Sequence, residues 1–230
     1  MKTKQAQLLI VLLLTGLVAL PAGAQIALTG KAGSLGLGAE LTFGLLPHLD
    51  GRLGVNGFSY SDDGREASGI EYDADARLRT ATALLDLHPG GHAFRLTGGL
   101  VWNGTQVDAH SRPSPSGTYD IGGVQIPVSV VQRLDGRAEF DPIAPYVGLG
   151  WGNPIRSSRR AGVAFDLGVI FQGKAKVNLT PVIPQDSPIN NPLAREALEI
   201  LVQREERELE DEASDYELYP VVSLGIWYRF

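Results

Sequence analysis

The chain has 230 residues, no cysteine and a formal charge of −6 from 20 basic and 26 acidic residues. Without cysteine it has no disulfide framework, thiolate metal site or cysteine nucleophile, and its acidic balance offers no electrostatic footprint for nucleic acid. Twenty-eight glycines in a 43% hydrophobic, 7% aromatic chain favour turns and close-packed strands over a helical bundle.

Lys2 and Lys4 precede a nearly unbroken apolar stretch from Leu8 to Leu20, closed by the small residues Pro21-Ala22-Gly23-Ala24. This is the layout of an export signal cleaved after Ala24. Its apolar core of about 13 residues falls short of the roughly 20 a membrane-spanning helix needs. Residues 1–24 are therefore expected to be a signal peptide and 25–230 one mature domain, whose charge becomes −8 once Lys2 and Lys4 are removed.

The mature chain reads with period two. A weak strand at 25–32 is followed by one at 34–45, where Leu35, Leu37, Ala39, Leu41, Phe43 and Leu45 alternate with small or polar residues. Residues 51–60 make an ambiguous third strand. In 69–87 the even positions from Ile70 to Leu84 form the less polar face, and Glu71, Asp73, Asp75, Arg77 and Arg79 crowd the other. Strands follow at 93–103, 143–151 and 160–172, each with one greasy face. The stretch 118–132 reads as a hairpin above the membrane; counting it as a membrane hairpin would make ten strands instead of eight. The last strand, 216–230, alternates for fifteen residues, longer than the five or six usual in soluble sheets and suited to a tilted bilayer crossing.

Short links at 47–50, 88–92 and 152–159 alternate with longer ones at 61–69, 104–141 and 173–215, as in barrels with short periplasmic turns and long outer loops. Both termini are then periplasmic. The last loop carries a different period: Asn191 can cap, Pro192 suits the first turn, and Leu193, Ala194, Ala197, Leu198, Leu201, Val202 and Leu209 share a stripe. An amphipathic helix over about 191–213 is expected across the barrel mouth, and residues 195–215, with nine acids and three bases, hold −6 of the mature charge. The fold class is an all-β antiparallel transmembrane barrel with one loop helix.

The chain end, Ser223-Leu224-Gly225-Ile226-Trp227-Tyr228-Arg229-Phe230, resembles the terminal assembly signal of Gram-negative outer-membrane β-barrels, through Ser223, Gly225, Tyr228 and Phe230. More broadly the architecture resembles the small eight-stranded outer membrane proteins of the OmpA-like and OmpW-like kind. That resemblance implies a monomer in the outer membrane, contact with lipid and lipopolysaccharide, and insertion by the barrel assembly machinery. It transfers no functional residue.

An eight-stranded barrel is just wide enough for its side chains. The alternation sends Glu40, Arg52, Glu71, Asp73, Asp75, Arg77, Arg79, Arg95, Asp166, Glu217 and Arg229 inward, a near balance of six acids and five bases. Inward charges pair where water is scarce, so the expected function is a structural or interaction barrel with a mostly plugged lumen. The alternatives are a narrow porin-like channel for small solutes and a lipid-modifying hydrolase or acyltransferase. No cofactor or metal is expected, and pairing with Arg77 and Arg79 is a plainer role for Glu71, Asp73 and Asp75 than calcium binding. His48, His88 and His92 fall in periplasmic turns. His110, near Ser111, Asp108 and Asp120, is the one weak candidate for catalysis.

Overall fold

The computed structural model describes residues 25–67, 70–112, 117–189 and 191–230. The signal peptide expected over residues 1–24 lies outside the described residues. Among these, eight antiparallel strands close a barrel: β1 (Ile26–Gly33), β2 (Gly36–Leu46), β3 (Leu49–Ala67), β4 (Ile70–Leu87), β5 (Phe94–Asn103), β10 (Ile143–Trp151), β11 (Ala161–Phe171) and β13 (Leu218–Arg229). Closure joins β1 to β13, from Ala27↔Arg229 to Gly33↔Ser223, and β4 to β5, from Thr80↔Asn103 to Leu87↔Leu96. Closure satisfies every edge, which is what lets strands stand in lipid. No helix among the described residues is long and apolar enough to cross a membrane.

One face of each strand carries the greasy set. On β13 the alternation is visible in burial: Val222, Leu224, Ile226, Tyr228 and the following Phe230 are exposed, whereas Val221, Ser223 and Trp227 are buried. Trp102 and Phe171 stand at one rim of the exposed band, and Phe94, Trp151, Tyr228 and Phe230 at the other, where Phe94 meets Trp151 and Tyr228 meets Phe230. These are the positions of interfacial girdles. Leu35 departs from its expected outward place. It sits at the tight β1–β2 turn, where Gly36 has φ +89°, and folds into an apolar layer with Leu84, Val101, Tyr146, Ile170 and Val221.

Above the girdle half of the barrel wall continues. The segment 61–69, expected as a loop, is largely strand, because β3 runs to Ala67 past an irregularity between Asp62 and Arg65. The upper part of β4 pairs with β6 (Gln106–Arg112), β6 with β9 (Arg133–Glu139), and β9 with β12 (Lys176–Val182). Each of these three added strands prolongs a barrel strand across a short break. The hairpin β7 (Thr118–Ile121) and β8 (Val124–Pro127) lies apart from the barrel sheet, so the barrel has eight strands and not ten.

Helix α1 (Pro192–Glu212) begins as expected, with the Asn191 side chain accepting from the Ala194 N–H at 2.7 Å and proline in the first turn. Leu198 and Val202 bury with Tyr119, Ile121, Ile126, Val131, Leu134 and Leu179, and Leu201 and Leu209 pack against this cluster. Leu193 and Ala197, at the start of the predicted stripe, remain exposed. The helix also closes the open edge of β12. Glu210 accepts from the Val177 N–H at 3.1 Å and Glu206 from the Leu179 N–H at 2.8 Å, while Pro181 has no N–H to satisfy. An edge that could template another strand is thereby blocked.

Candidate functional site

The barrel interior holds a compact ion network. Arg52, on β3, places Nη1 3.0 Å from Glu40 Oε1 and 3.2 Å from Asp166 Oδ1, and Nε 2.6 Å from Asp86 Oδ2. Arg95, on β5, reaches Asp166 Oδ1 at 2.7 Å and donates to the Gly152 carbonyl at 2.6 Å. Lys31 Nζ donates to Glu40 Oε2 at 2.9 Å. Thr97 Oγ1 donates to Asp86 at 2.6 Å and accepts from Arg52 at 3.3 Å. Three acids thus meet three bases. Both arginine side chains are 2% exposed, and charges so dry persist only when paired. Glycine makes the room: a Cβ at Gly150 would stand 2.8 Å from Arg95 Nε and 2.9 Å from Asp166 Oδ1.

A floor lies below this network, at the barrel end where Ala27 pairs with Arg229. Asp50, fully buried, takes Arg156 Nη1 at 2.8 Å and His88 Nε2 at 3.0 Å, and Arg156 also donates to the Leu46 carbonyl. Arg229 Nη1 donates to the carbonyls of Ile155 and Ser157 at 2.8 and 2.6 Å, so the turn 152–160 is drawn into the barrel end and buries Ile155. His88 and His92 flank a 3-10 turn, Pro89–Gly91, with φ of +69° at Gly90 and +72° at Gly91. Above the network the apolar layer around Tyr146 fills the lumen. A Cβ at Gly168 would stand 2.3 Å from the Tyr146 hydroxyl.

Of the expected lumen residues the structure brings together Glu40, Arg52, Arg95 and Asp166. Arg229 belongs to the floor, and Glu217 lies half-buried just before β13. The five charges of β4 require a correction. Leu85 and Leu87 are 51% and 47% exposed, whereas Leu84 and Asp86 are 6% and 1% exposed, so even positions face the lumen and odd positions face out. Asp73, Asp75, Arg77 and Arg79 therefore occupy the outer face and do not meet Arg52 or Arg95. They escape the lipid core because they stand beyond the Trp102 rim, Asp73 to Arg77 where β4 pairs with β6 and Arg79 at the break just below that pairing. The side chain of Glu71 lies outside the described residues.

Sequence reasoning missed Asp86, Lys31, Asp50, His88 and Arg156. Asp86 carried a signal, because a carboxylate two residues beyond Leu84 conflicts with an outward face for the even positions. Lys31 sits in the strand with the weakest pattern, and the other three lie at turns whose inward folding no periodicity encodes.

Above the membrane the outer face of β4, β6, β9 and β12 bears paired charges. Asp108 accepts from Arg137 Nε at 2.7 Å and lies 3.7 Å from Arg77 Nη1; Asp135 meets His110 Nδ1 at 2.8 Å and Arg133 Nε at 2.6 Å. Partial burial would raise both carboxyls. For Asp108 the bonds from Gln106 and Arg137, and for Asp135 those from Arg133 and His110, outweigh it, and both titrate below the ordinary aspartate range. His110 and Ser111 point to opposite faces of β6. His110 is exposed, while the Ser111 hydroxyl is buried and accepts the Leu134 N–H at 2.9 Å. Asp120 stands apart on β7. The residues weighed for catalysis are not assembled, and no group of three or more metal-ligating side chains occurs among the described residues.

No protein-family profile and no curated protein sequence matches the chain. Solved structures do match it. The crystal structure of Acinetobacter baumannii CarO aligns with a TM-score of 0.53 at 18% identity, covering 89% of this chain and 97% of that one. That of A. baumannii CarO2 aligns at 0.54 and 20%, covering 91% and 100%. The chain is a small outer-membrane-type β-barrel. A major outer membrane protein from Thermus thermophilus aligns more loosely, with a TM-score of 0.42 at 17% identity over 91% of this chain and 100% of that one. At these identities the likeness concerns the fold alone. The closed barrel with its girdled greasy band is built to stand in a bilayer, and its inward side is where function as a conduit would have to reside.

Proposed function

We propose that this barrel is a structural and interaction protein of the outer membrane, with a lumen that is plugged instead of conducting and with no catalytic role. The observation that carries the reading is the Glu40–Arg52–Asp86–Arg95–Asp166 network, dry and charge-balanced with Lys31, between an apolar layer and a turn that fills the periplasmic end. A solvated pore would leave such groups partly hydrated and biased toward one sign. In this reading residues 1–24 are removed on export, the assembly machinery reads the strand ending in Tyr228 and Phe230, and a monomer inserts among lipid and lipopolysaccharide. The wall above the membrane is the working surface. The test is planar-bilayer recording of the folded mature chain. Near-baseline current is expected; a steady conductance that scales with salt would overturn the plug and favour a narrow channel.

A further inference from the structure

The outer face of the extracellular wall is not accounted for by the plug. On β4 the odd side chains run from lipid into water without a break: Leu87, Leu85, Ala83 and Ala81 lie in the bilayer, and Ala81 pairs with the girdle residue Trp102. Arg79 and Arg77 come next, about 7 and 13 Å farther along the strand at roughly 3.3 Å per residue. Both are exposed, Arg77 Nη1 is only loosely held at 3.7 Å from Asp108, and Arg79 makes no ion pair with another described residue. Register carries the Arg77 row across Gln106 and Glu139 to Lys176, whose Nζ donates to Asp141 at 2.8 Å. Higher rows, Asp75–Asp108–Arg137–Asn178 and Asp73–His110–Asp135–Thr180, are richer in acids and neutral polar groups. They border an open groove of about 570 Å³ lined by Asp108, His110, Asp135, Arg137, Asn178 and Thr180.

We propose that this face binds a phosphorylated glycolipid of the outer leaflet, with its phosphates on Arg77 and Arg79 and its sugars in the groove above. The inference rests on the outer-membrane barrel reading and names a partner for its wall. The basic groups stand beside the girdle, at the depth of lipid phosphates, and guanidinium matches phosphate with paired, charge-assisted hydrogen bonds. The height of the face selects the lipid. From Arg79 to Asp73 the strand covers about 20 Å, which at a tilt of roughly 40° is a height of about 15 Å, whereas a headgroup layer of ordinary bilayer dimensions adds about 5–8 Å per side. A phospholipid would cover the arginine row and leave the groove empty. A column of sugars would fill it, its hydroxyls both donating to carboxylates and amide oxygens and accepting from Arg137 and Asn178.

The experiment counts lipids retained by the folded barrel in native mass spectrometry. The probes are a bisphosphorylated lipid A carrying core sugars, its dephosphorylated form, and phosphatidylglycerol. The wild-type chain is expected to retain the phosphorylated glycolipid best. Arg77→Gln/Arg79→Gln should lower that retention about tenfold, the scale of one or two charge-assisted bonds, and removing the phosphates should do the same. Thr180→Ala/Asn178→Ala should weaken glycolipid retention and leave phosphatidylglycerol unchanged. Equal retention of glycolipid and phosphatidylglycerol by the wild-type chain, or undiminished retention in the arginine variant, would overturn the site. Each protein is checked for a heat-modifiable form in lipid vesicles. Its absence in the wild-type chain would overturn the barrel reading and the site together, whereas a heat-modifiable barrel without arginine-dependent retention overturns the site alone.

Discussion

The membrane half of β4 and its extracellular half share one strand and one alternation, yet their polarities are opposite. Below the girdle the lumen side is polar, with Thr80, Thr82 and Asp86, and the outer side is apolar, with Ala83, Leu85 and Leu87. Above it the outer side carries Arg79, Arg77, Asp75 and Asp73, while the neighbouring wall strands β9 and β12 turn Leu134 and Leu179 inward to the apolar cluster under α1. The pleat never slips. What changes is the solvent outside, from lipid to water, and the burial rule inverts with it. The two regions also differ in how their interiors are held. The barrel is filled by an ion network whose members depend on one another, the wall by a conventional apolar core of Leu134, Leu179, Leu198 and Val202.

That difference can be broken most severely in the plug. Arg52→Met removes the base shared by Glu40, Asp86 and Asp166, and leaving such acids buried without their partner costs about 3–5 kcal/mol. Urea unfolding in vesicles should show a loss of that size. Leu198→Ala opens a cavity in the wall instead, at about 2–5 kcal/mol locally. Limited proteolysis should then cut α1 and β6–β9 while the barrel keeps its heat-modifiable mobility; loss of both together would mean that wall and barrel form one cooperative unit.

Much of the barrel was legible because period two is insensitive to what the solvent is. The strands at 93–103, 143–151 and 160–172, the outward residues from Ile143 to Trp151 and from Ala161 to Phe171, and the Asn191 cap all stand where alternation and capping chemistry put them. The same insensitivity explains the failure on β4. Five charges on one face look like a lumen if the whole strand is assumed to be in lipid, but they look like a solvated wall once the girdle is placed at Trp102. Glu40, Arg52, Arg95 and Asp166 were readable because each lies in the part of its strand below the girdle, where lipid is the outer solvent. The Asp50–His88–Arg156 floor was not, since it is built by turns folding inward after closure.

Acid separates the regions more gently. Asp108 and Asp135 have folded-state values below their unfolded ones, so their contribution is fully present above the unfolded aspartate range and is lost as pH falls through the lower folded values. Hydrogen exchange at β6 and β9 should rise on acidification below the ordinary aspartate range, with β10 and β11 unchanged. The smallest change expected is Glu206→Ala. It leaves the Leu179 N–H at the sheet edge without its acceptor, at about 0.5–1.5 kcal/mol, and should raise exchange at that amide alone.

The most direct test of the inversion uses the absence of native cysteine. Single cysteines are placed along β4 at positions 75, 77, 79, 82, 83, 85 and 86, in the folded barrel in vesicles, and probed with a membrane-impermeant thiol reagent and a lipid-phase spin quencher. The account predicts that 75, 77 and 79 react from water, that 83 and 85 are quenched from lipid, and that 82 and 86 are protected from both. Protection of 75 and 77 within the lumen, or reaction of 83 and 85 from water, would contradict it.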